Sequence, residues 1–230
     1  MLNLPQYVSI GFTLTTLLSL VFFYIAMQKA TPKSGRINLI LALIGLWMVF
    51  QAVLAFNGFY LKGLDTLPPR FLLAVFPPLL TIIIVFVLPA GRRFVDGLAL
   101  TPLTYLHVVR IPVELILYAL FVNQAIPEIM TFAGRNFDIL AGISAPLIAY
   151  FGLQQQKISR RIMLVWHVLA LALLLNIVTI AVLSLPTPFQ QFGLDQPNWG
   201  VLHFPFNWLP AVVVPLVLFA HLVAIRRLIR

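Results

Sequence analysis

The run TPLTYLHVVRIPVELILY, residues 101–118, holds the densest set of reactive side chains in an otherwise apolar chain. Thr104, His107, Arg110, Glu114 and Tyr118 recur at three- and four-residue steps, the spacing that lines up one face of a helix. That face combines a fixed positive charge, a carboxyl and an imidazole that titrates near neutrality. Arg110 and Glu114 stand four apart and are expected to pair. At membrane depth such groups cost several kcal/mol unless paired or hydrated, so the face must turn toward the protein interior or a water-filled cavity. Intramembrane ionisable residues mark functional sites by default. The competing reading is a buried clamp that only fixes packing, which a hydrophobic substitute would match in stability.

Histidine supplies a second pattern. His107 and His167 fall about one-third of the way into their apolar stretches, and His221 lies near the end of the last one. All three share the inner third of the membrane in depth, where they could ligate a divalent metal or haem. Equal depth does not fix the rotation of each helix, and no single helix offers a His-x-x-x-His or Glu-x-x-His pair. A lone histidine near a helix end is ordinarily bonded to a carbonyl or reaches for the interface. His203 belongs to a connector and stands apart from the set.

What is missing narrows the chemistry. Cysteine is absent, which removes disulfides, thiolate metal sites and cysteine nucleophiles. No Gly-x-Ser-x-Gly elbow, His-Glu-x-x-His zinc motif or Walker loop occurs. Lys29, Lys33, Lys62 and Lys157 all fall in connectors. A seven-span chain with an outside N-terminus resembles microbial rhodopsins, yet none of these lysines could form a retinal Schiff base in the last helix.

The elements that must position these residues are transmembrane helices. The chain has 230 residues, 61% of them hydrophobic and only 9% charged, where soluble domains are about a quarter charged. Apolar stretches at 6–28, 37–57, 71–90, 99–122, 137–153, 162–185 and 205–225 are each expected to cross ~30 Å of hydrocarbon at ~1.5 Å per residue. The fifth is the shortest. Prolines 77 and 78, 112, 210 and 215 interrupt the third, fourth and seventh, which neighbouring helices tolerate, often with a kink. Continuous rather than alternating apolar runs argue against a membrane barrel. The first stretch lacks a basic flank before Lys29 and reads as a retained helix rather than a signal peptide.

Charge orients the bundle. Lys29, Lys33, Arg36, Arg92, Arg93, Lys157, Arg160, Arg161, Arg226, Arg227 and Arg230 occupy one set of connectors, against Lys62, Arg70 and Arg135 in the other. Eleven against three places the rich set in the cytoplasm, with the N-terminus outside and the C-terminus inside. The net charge of +9 therefore faces anionic lipid headgroups rather than nucleic acid, for which no basic stripe with interleaved aromatics exists. Tyr7, Trp199 and Trp208 fit interfacial belts. The longest connector, 186–204, carries no Lys or Arg and reads as an ordered interfacial loop, with a lid over a cavity as the alternative.

In the fifth stretch, Ala141, Gly142, Ala145 and Ala149 form a small-residue face suited to close helix contact. Asn136 is placed to cap that helix, and Asp138 suits the positive end of its dipole. Gln51, Asn176, Thr179 and Asn207 are further polar residues at membrane depth, each explained by one interhelical hydrogen bond. PTPFQQFGLDQPNW and RIPVELILY resemble stretches of bacterial multi-span membrane proteins, which implies a bacterial cytoplasmic membrane and no particular function.

The expected architecture is thus an all-α bundle of about seven transmembrane helices forming one domain over 1–230. Its leading reading is a polar intramembrane site of His107, Arg110, Glu114 and Tyr118 that binds a small solute or proton for transport or sensing. Haem or a divalent metal on His107, His167 and His221 is the alternative, and a non-catalytic assembly subunit, with no assigned protein partner, is the third. Nothing marks the chain as an enzyme.

Overall fold

A computed structural model of the chain describes residues 4–30 and 34–230, in which the regular structure is all helical, with no strand among the described residues. Lys33 of the first basic connector lies outside them, as does the side chain of Lys29. The helices are α1 (Gln6–Ala30), α2 (Ser34–Phe56), α3 (Leu72–Val87), α4 (Pro89–Gly97), α5 (Leu100–Val122), α6 (Ile139–Gln154), α7 (Arg160–Leu183) and α8 (Leu209–Ile229). Five of them, α1, α2, α5, α7 and α8, are long and apolar enough to cross a membrane.

A sixth span arises only if α3 and α4 count as one. The two meet at 92°, so the expected straight passage over 71–90 is instead a helix with an elbow. The break falls at Pro89, which has no amide hydrogen to continue the ladder, whereas Pro77 and Pro78 sit inside α3 without ending it. Gly91 completes the elbow, because a Cβ there would collide with the Val85 carbonyl. The fifth expected span, 137–153, is α6, whose 16 residues over Ile139–Gln154 give roughly 24 Å of helix, short of a full crossing. Its last turns, Ile148–Gln154, open into wider π geometry.

Proline leaves a subtler mark on α5. Its helix tightens to a 3₁₀ turn at His107–Val109, just ahead of Pro112, whose missing amide leaves the carbonyl four residues back without its usual donor. The tightening rotates the segment that carries His107 relative to the one that carries Glu114.

Large apolar side chains cover the outside, among them Leu14, Leu46, Val53, Ile83, Ile143 and Leu169, all exposed. For helices that cross a bilayer, burial of apolar area does not drive association, and close packing and interior polar bonds hold them together instead. The small-residue face of α6 does this. Ala141, Gly142, Ala145 and Ala149 are buried, and a Cβ on Gly142 would stand 2.8 Å from Ile111 Cγ1 and 3.1 Å from the Ile111 amide of α5.

Basic residues gather at one end of the bundle. Arg226 of α8 donates to Asp96 of α4 at 2.9 Å, Arg230 joins at 2.7 Å, and Arg160 at the start of α7 donates to the Leu228 carbonyl at 2.5 Å. The 186–204 connector closes the other end. Its Asn198 amide donates to Ser184 O at 2.8 Å, the Gly200 amide to Ala125 O at 2.7 Å, and Gln196 Nε2 to Ile126 O at 2.5 Å. It is an ordered loop. Trp208 departs from the interfacial expectation: its indole donates to Met48 O at 3.0 Å and ties α8 to α2.

Candidate functional site

Arg110, at the end of the 3₁₀ turn, is buried, and its partner is not Glu114. Its Nε donates to Asp138 Oδ2 at 2.5 Å and its Nη2 to Asp138 Oδ1, forming a two-point ion pair between α5 and the start of α6. Nη2 also donates to the Ala170 carbonyl of α7 at 2.9 Å, and Nη1 lies 3.2 Å from His221 Nε2 of α8. One guanidinium thus touches three other helices and spends its donors on them. The expected Arg110–Glu114 pair gives way because Asp138, delivered across the close contact at Gly142, presents both oxygens to the planar fork. Asp138, accounted for in the sequence by the helix dipole alone, is the missing counter-ion.

Glu114 is buried as well. Asn136 Nδ2 donates to its Oε1 and also to Met130 O at 3.0 Å, while Asn136 Oδ1 accepts from the Asp138 amide at 3.0 Å. Asn136 therefore connects the two acidic residues, but it is not the expected cap: Asp138 holds the N-cap position of α6, with no side-chain cap bond. The other oxygen of Glu114, Oε2, has no partner among the described residues.

Tyr118 does not join the site. It is 39% exposed on the outer face of α5 and stacks on Phe132 at 4.9 Å, so the polar face ends at Glu114. Thr104 is buried, but its hydroxyl is spent on Leu100 O at 3.0 Å.

The three histidines converge. His107, His167 and His221 come from α5, α7 and α8, all are buried, and ligand atoms chosen one from each lie within 4.8 Å of one another. His107 stacks on His221 with ring centroids 3.9 Å apart and planes at 23°, and His167 Nδ1 is 3.1 Å from His221 Nδ1. Two imidazoles on an ion with bonds of ~2.0–2.1 Å hold their nitrogens about 3.3 Å apart, so His167 and His221 already stand near ligand spacing. His203 is remote, its Nδ1 2.9 Å from Trp199 O within the connector.

Hydrogen bonds order the protons on two of the rings. Arginine only donates, so His221 Nε2 must accept. In the neutral ring that puts the hydrogen on His221 Nδ1, which donates to His167 Nδ1 and leaves His167 protonated at Nε2. His107 takes no part, since neither of its nitrogens has a partner among the described residues. Trp166 walls the cluster, 5.7 Å from the His107 ring, with its own N–H fixed on Ser144 Oγ at 2.8 Å.

This packing suits a small ion and not haem. Rings stacked at 3.9 Å leave no room between them for a porphyrin. Three neutral nitrogen ligands without thiolate fit zinc, copper, nickel or cobalt, and they leave a fourth position for water or another ligand.

A family model described as "Domain of unknown function (DUF8737)" matches residues 68–229, a stretch that includes every residue of this site. No curated protein and no solved structure matches the chain.

Proposed function

We propose that the chain, which belongs to the Domain of unknown function (DUF8737) family, is a multi-pass membrane protein that binds a transition-metal ion on His107, His167 and His221. The observation that carries this reading is His107. A buried imidazole with neither nitrogen bonded costs about 1–3 kcal/mol, and here it lies against two other imidazoles. A lone pair left unused by the protein, beside two nitrogens near ligand spacing, is what an ion requires. Arg110, held by Asp138, donates into the His221 Nε2 lone pair and so stabilises the empty arrangement of the cluster. The ion competes with the Arg110–His221 and His221–His167 hydrogen bonds, so empty and loaded clusters are alternative arrangements. With three ligands and an open position, the site suits an exchangeable ion, for transport or sensing, better than a closed structural one.

We take the bundle to cross the membrane seven times, with α3 and α6 as short passes. The gathering of α4, the start of α7 and the end of α8 at one basic end supports a cytoplasmic placement of that end. A second reading keeps the solute or proton site expected of α5 alone. Glu114 supports it, with an unpartnered buried oxygen one turn from Arg110.

Metal analysis of the purified protein, with visible absorption after loading with Co²⁺ or Cu²⁺, tests the proposal. One ion per chain is expected, lost in His107→Ala, His167→Ala and His221→Ala and retained in His203→Ala. A wild-type protein that takes up none of Zn²⁺, Cu²⁺, Co²⁺ or Ni²⁺ overturns it.

A further inference from the structure

On the far side of α8 from the histidines, an apolar cleft of about 550 Å³ lies between α2 and α3, floored by Ala211–Phe219 of α8 and reaching the α3–α4 elbow. Its volume falls within the ~300–1,000 Å³ that encloses a small ligand. The side-chain polar groups on its walls are already spent. The Thr81 hydroxyl donates to Pro77 O at 2.9 Å and the Trp47 indole to Ala211 O at 3.1 Å. Leu43, Leu46, Ile83 and Val87 beside it are exposed and apolar, so the cleft opens onto hydrocarbon. Whatever lies in it is apolar along its length.

The elbow end differs. Gly91 and Phe94 line the cleft there, and Arg92 and Arg93 of the same short helix are exposed. Among the described residues Arg92 bonds only through its Nε, to Phe86 O at 2.8 Å, which fixes the elbow and leaves its outer nitrogens without a partner there. Because α4 turns 92° away from α3, these guanidinium groups stand at the end of the apolar track. An apolar track ending in exposed arginines is complementary to a long hydrocarbon chain with an anionic head.

We propose that this cleft is a specific site for an anionic phospholipid of the bilayer, with an acyl chain between α2 and α3 and the phosphate at Arg92 and Arg93. It is independent of the metal reading. The two arginines sit where juxtamembrane basic residues attract anionic headgroups, and the elbow built by Pro89 and Gly91 holds them over the mouth of the cleft.

Trp47 in the cleft wall provides the reporter. The detergent-purified protein is titrated with phosphatidylglycerol carrying brominated acyl chains, and separately with phosphatidylcholine carrying the same chains. Phosphatidylglycerol should quench the Trp47 emission, defined as the part lost in Trp47→Phe, at a mole fraction lower by about fivefold for each arginine. Arg93→Gln, which keeps the Arg92–Phe86 bond, should reduce that preference, and Arg92→Gln with Arg93→Gln should bring the two curves together without loss of helicity. Ile44→Phe with Thr81→Phe, which fills the cleft, should protect Trp47 from both lipids. Equal quenching by the two wild-type titrations overturns the proposal, as does a preference that survives in the double arginine variant. Shielding of Trp47 from both lipids by a co-purifying polypeptide also overturns it, in favour of a partner helix.

Discussion

The Arg110 guanidinium holds the Asp138 carboxylate across the α5–α6 interface, Nε to Oδ2 at 2.5 Å, while Glu114, one turn away on the same helix, is held by Asn136. A pair within α5 would add nothing between helices. The pair that forms instead anchors α6, the short helix, to the middle of the bundle, and Nη2 extends the anchor to Ala170 of α7.

Asp138→Ala leaves the buried guanidinium without its counter-ion and should cost about 3–5 kcal/mol, read from denaturant or thermal unfolding in detergent. Arg110→Met combined with Asp138→Leu should recover most of that loss, because both charges leave together. Glu114→Gln keeps an oxygen for Asn136 and should cost no more than about 1 kcal/mol. A Glu114→Gln loss as large as that of Asp138→Ala would return the pairing to Glu114.

The helix contact beneath this pair is equally specific. At Gly142 an added Cβ meets Ile111 Cγ1 at 2.8 Å, its amide at 3.1 Å and Arg110 Cβ at 3.3 Å. Gly142→Ala should therefore cost about 1–3 kcal/mol by overpacking and push Arg110 off its partners. Ile143→Ala, next in sequence but 55% exposed on the lipid face, should stay within about 0.5 kcal/mol. Equal effects at the two positions would mean that α6 does not pack as described.

Much of this was legible in the residues and some was not, for physical reasons. Hydrophobicity and length mark α1, α2, α5, α7 and α8 because nothing competes with those signals over more than 20 residues. The elbow at Pro89 was hidden inside an unbroken apolar run, since hydropathy does not register a missing amide. The small face around Gly142 predicted a close contact without naming its partner. Spacing along α5 found His107, Arg110 and Glu114 but also included Tyr118, because each four-residue step drifts about 40° around a regular helix, and two such steps after Arg110 carry Tyr118 to the exposed side. Asp138 escaped for a related reason: helical periodicity ranks neighbours on one helix and is blind to a carboxylate delivered by another. The depth of the three histidines was readable, and their convergence required the rotation of three helices.

Tyr60, outside the spans, gives a prediction in pH. Burial pushes its phenol up to about 12, and the hydroxyl donates to Gln51 Oε1. The folded state holds this proton more tightly than the unfolded chain, so its contribution is complete below about pH 10 and is lost as pH rises from there toward 12. Unfolding followed over that window should show stability falling with pH. Tyr60→Phe should remove this part of the slope and cost about 1–3 kcal/mol at neutral pH by leaving Gln51 Oε1 unpaired. A slope unchanged in Tyr60→Phe would assign it to other groups.

The last prediction separates stability from binding within the histidine cluster. His107 makes no hydrogen bond among the described residues, so His107→Phe replaces a buried, unpaired polar ring with an apolar one of similar shape. Its unfolding midpoint should be unchanged or higher, since no partner is stranded and one desolvation penalty disappears. His221 is the opposite case. His221→Phe strands Arg110 Nη1 and His167 Nδ1, both of which face it at 3.2 and 3.1 Å, and should cost about 1–3 kcal/mol. Both variants should lose the metal ion. A ring kept only for packing predicts that His107→Phe behaves as wild type in every assay. A binding ring predicts a protein at least as stable that no longer takes up the ion, the signature of a residue retained at a cost to stability for what it binds.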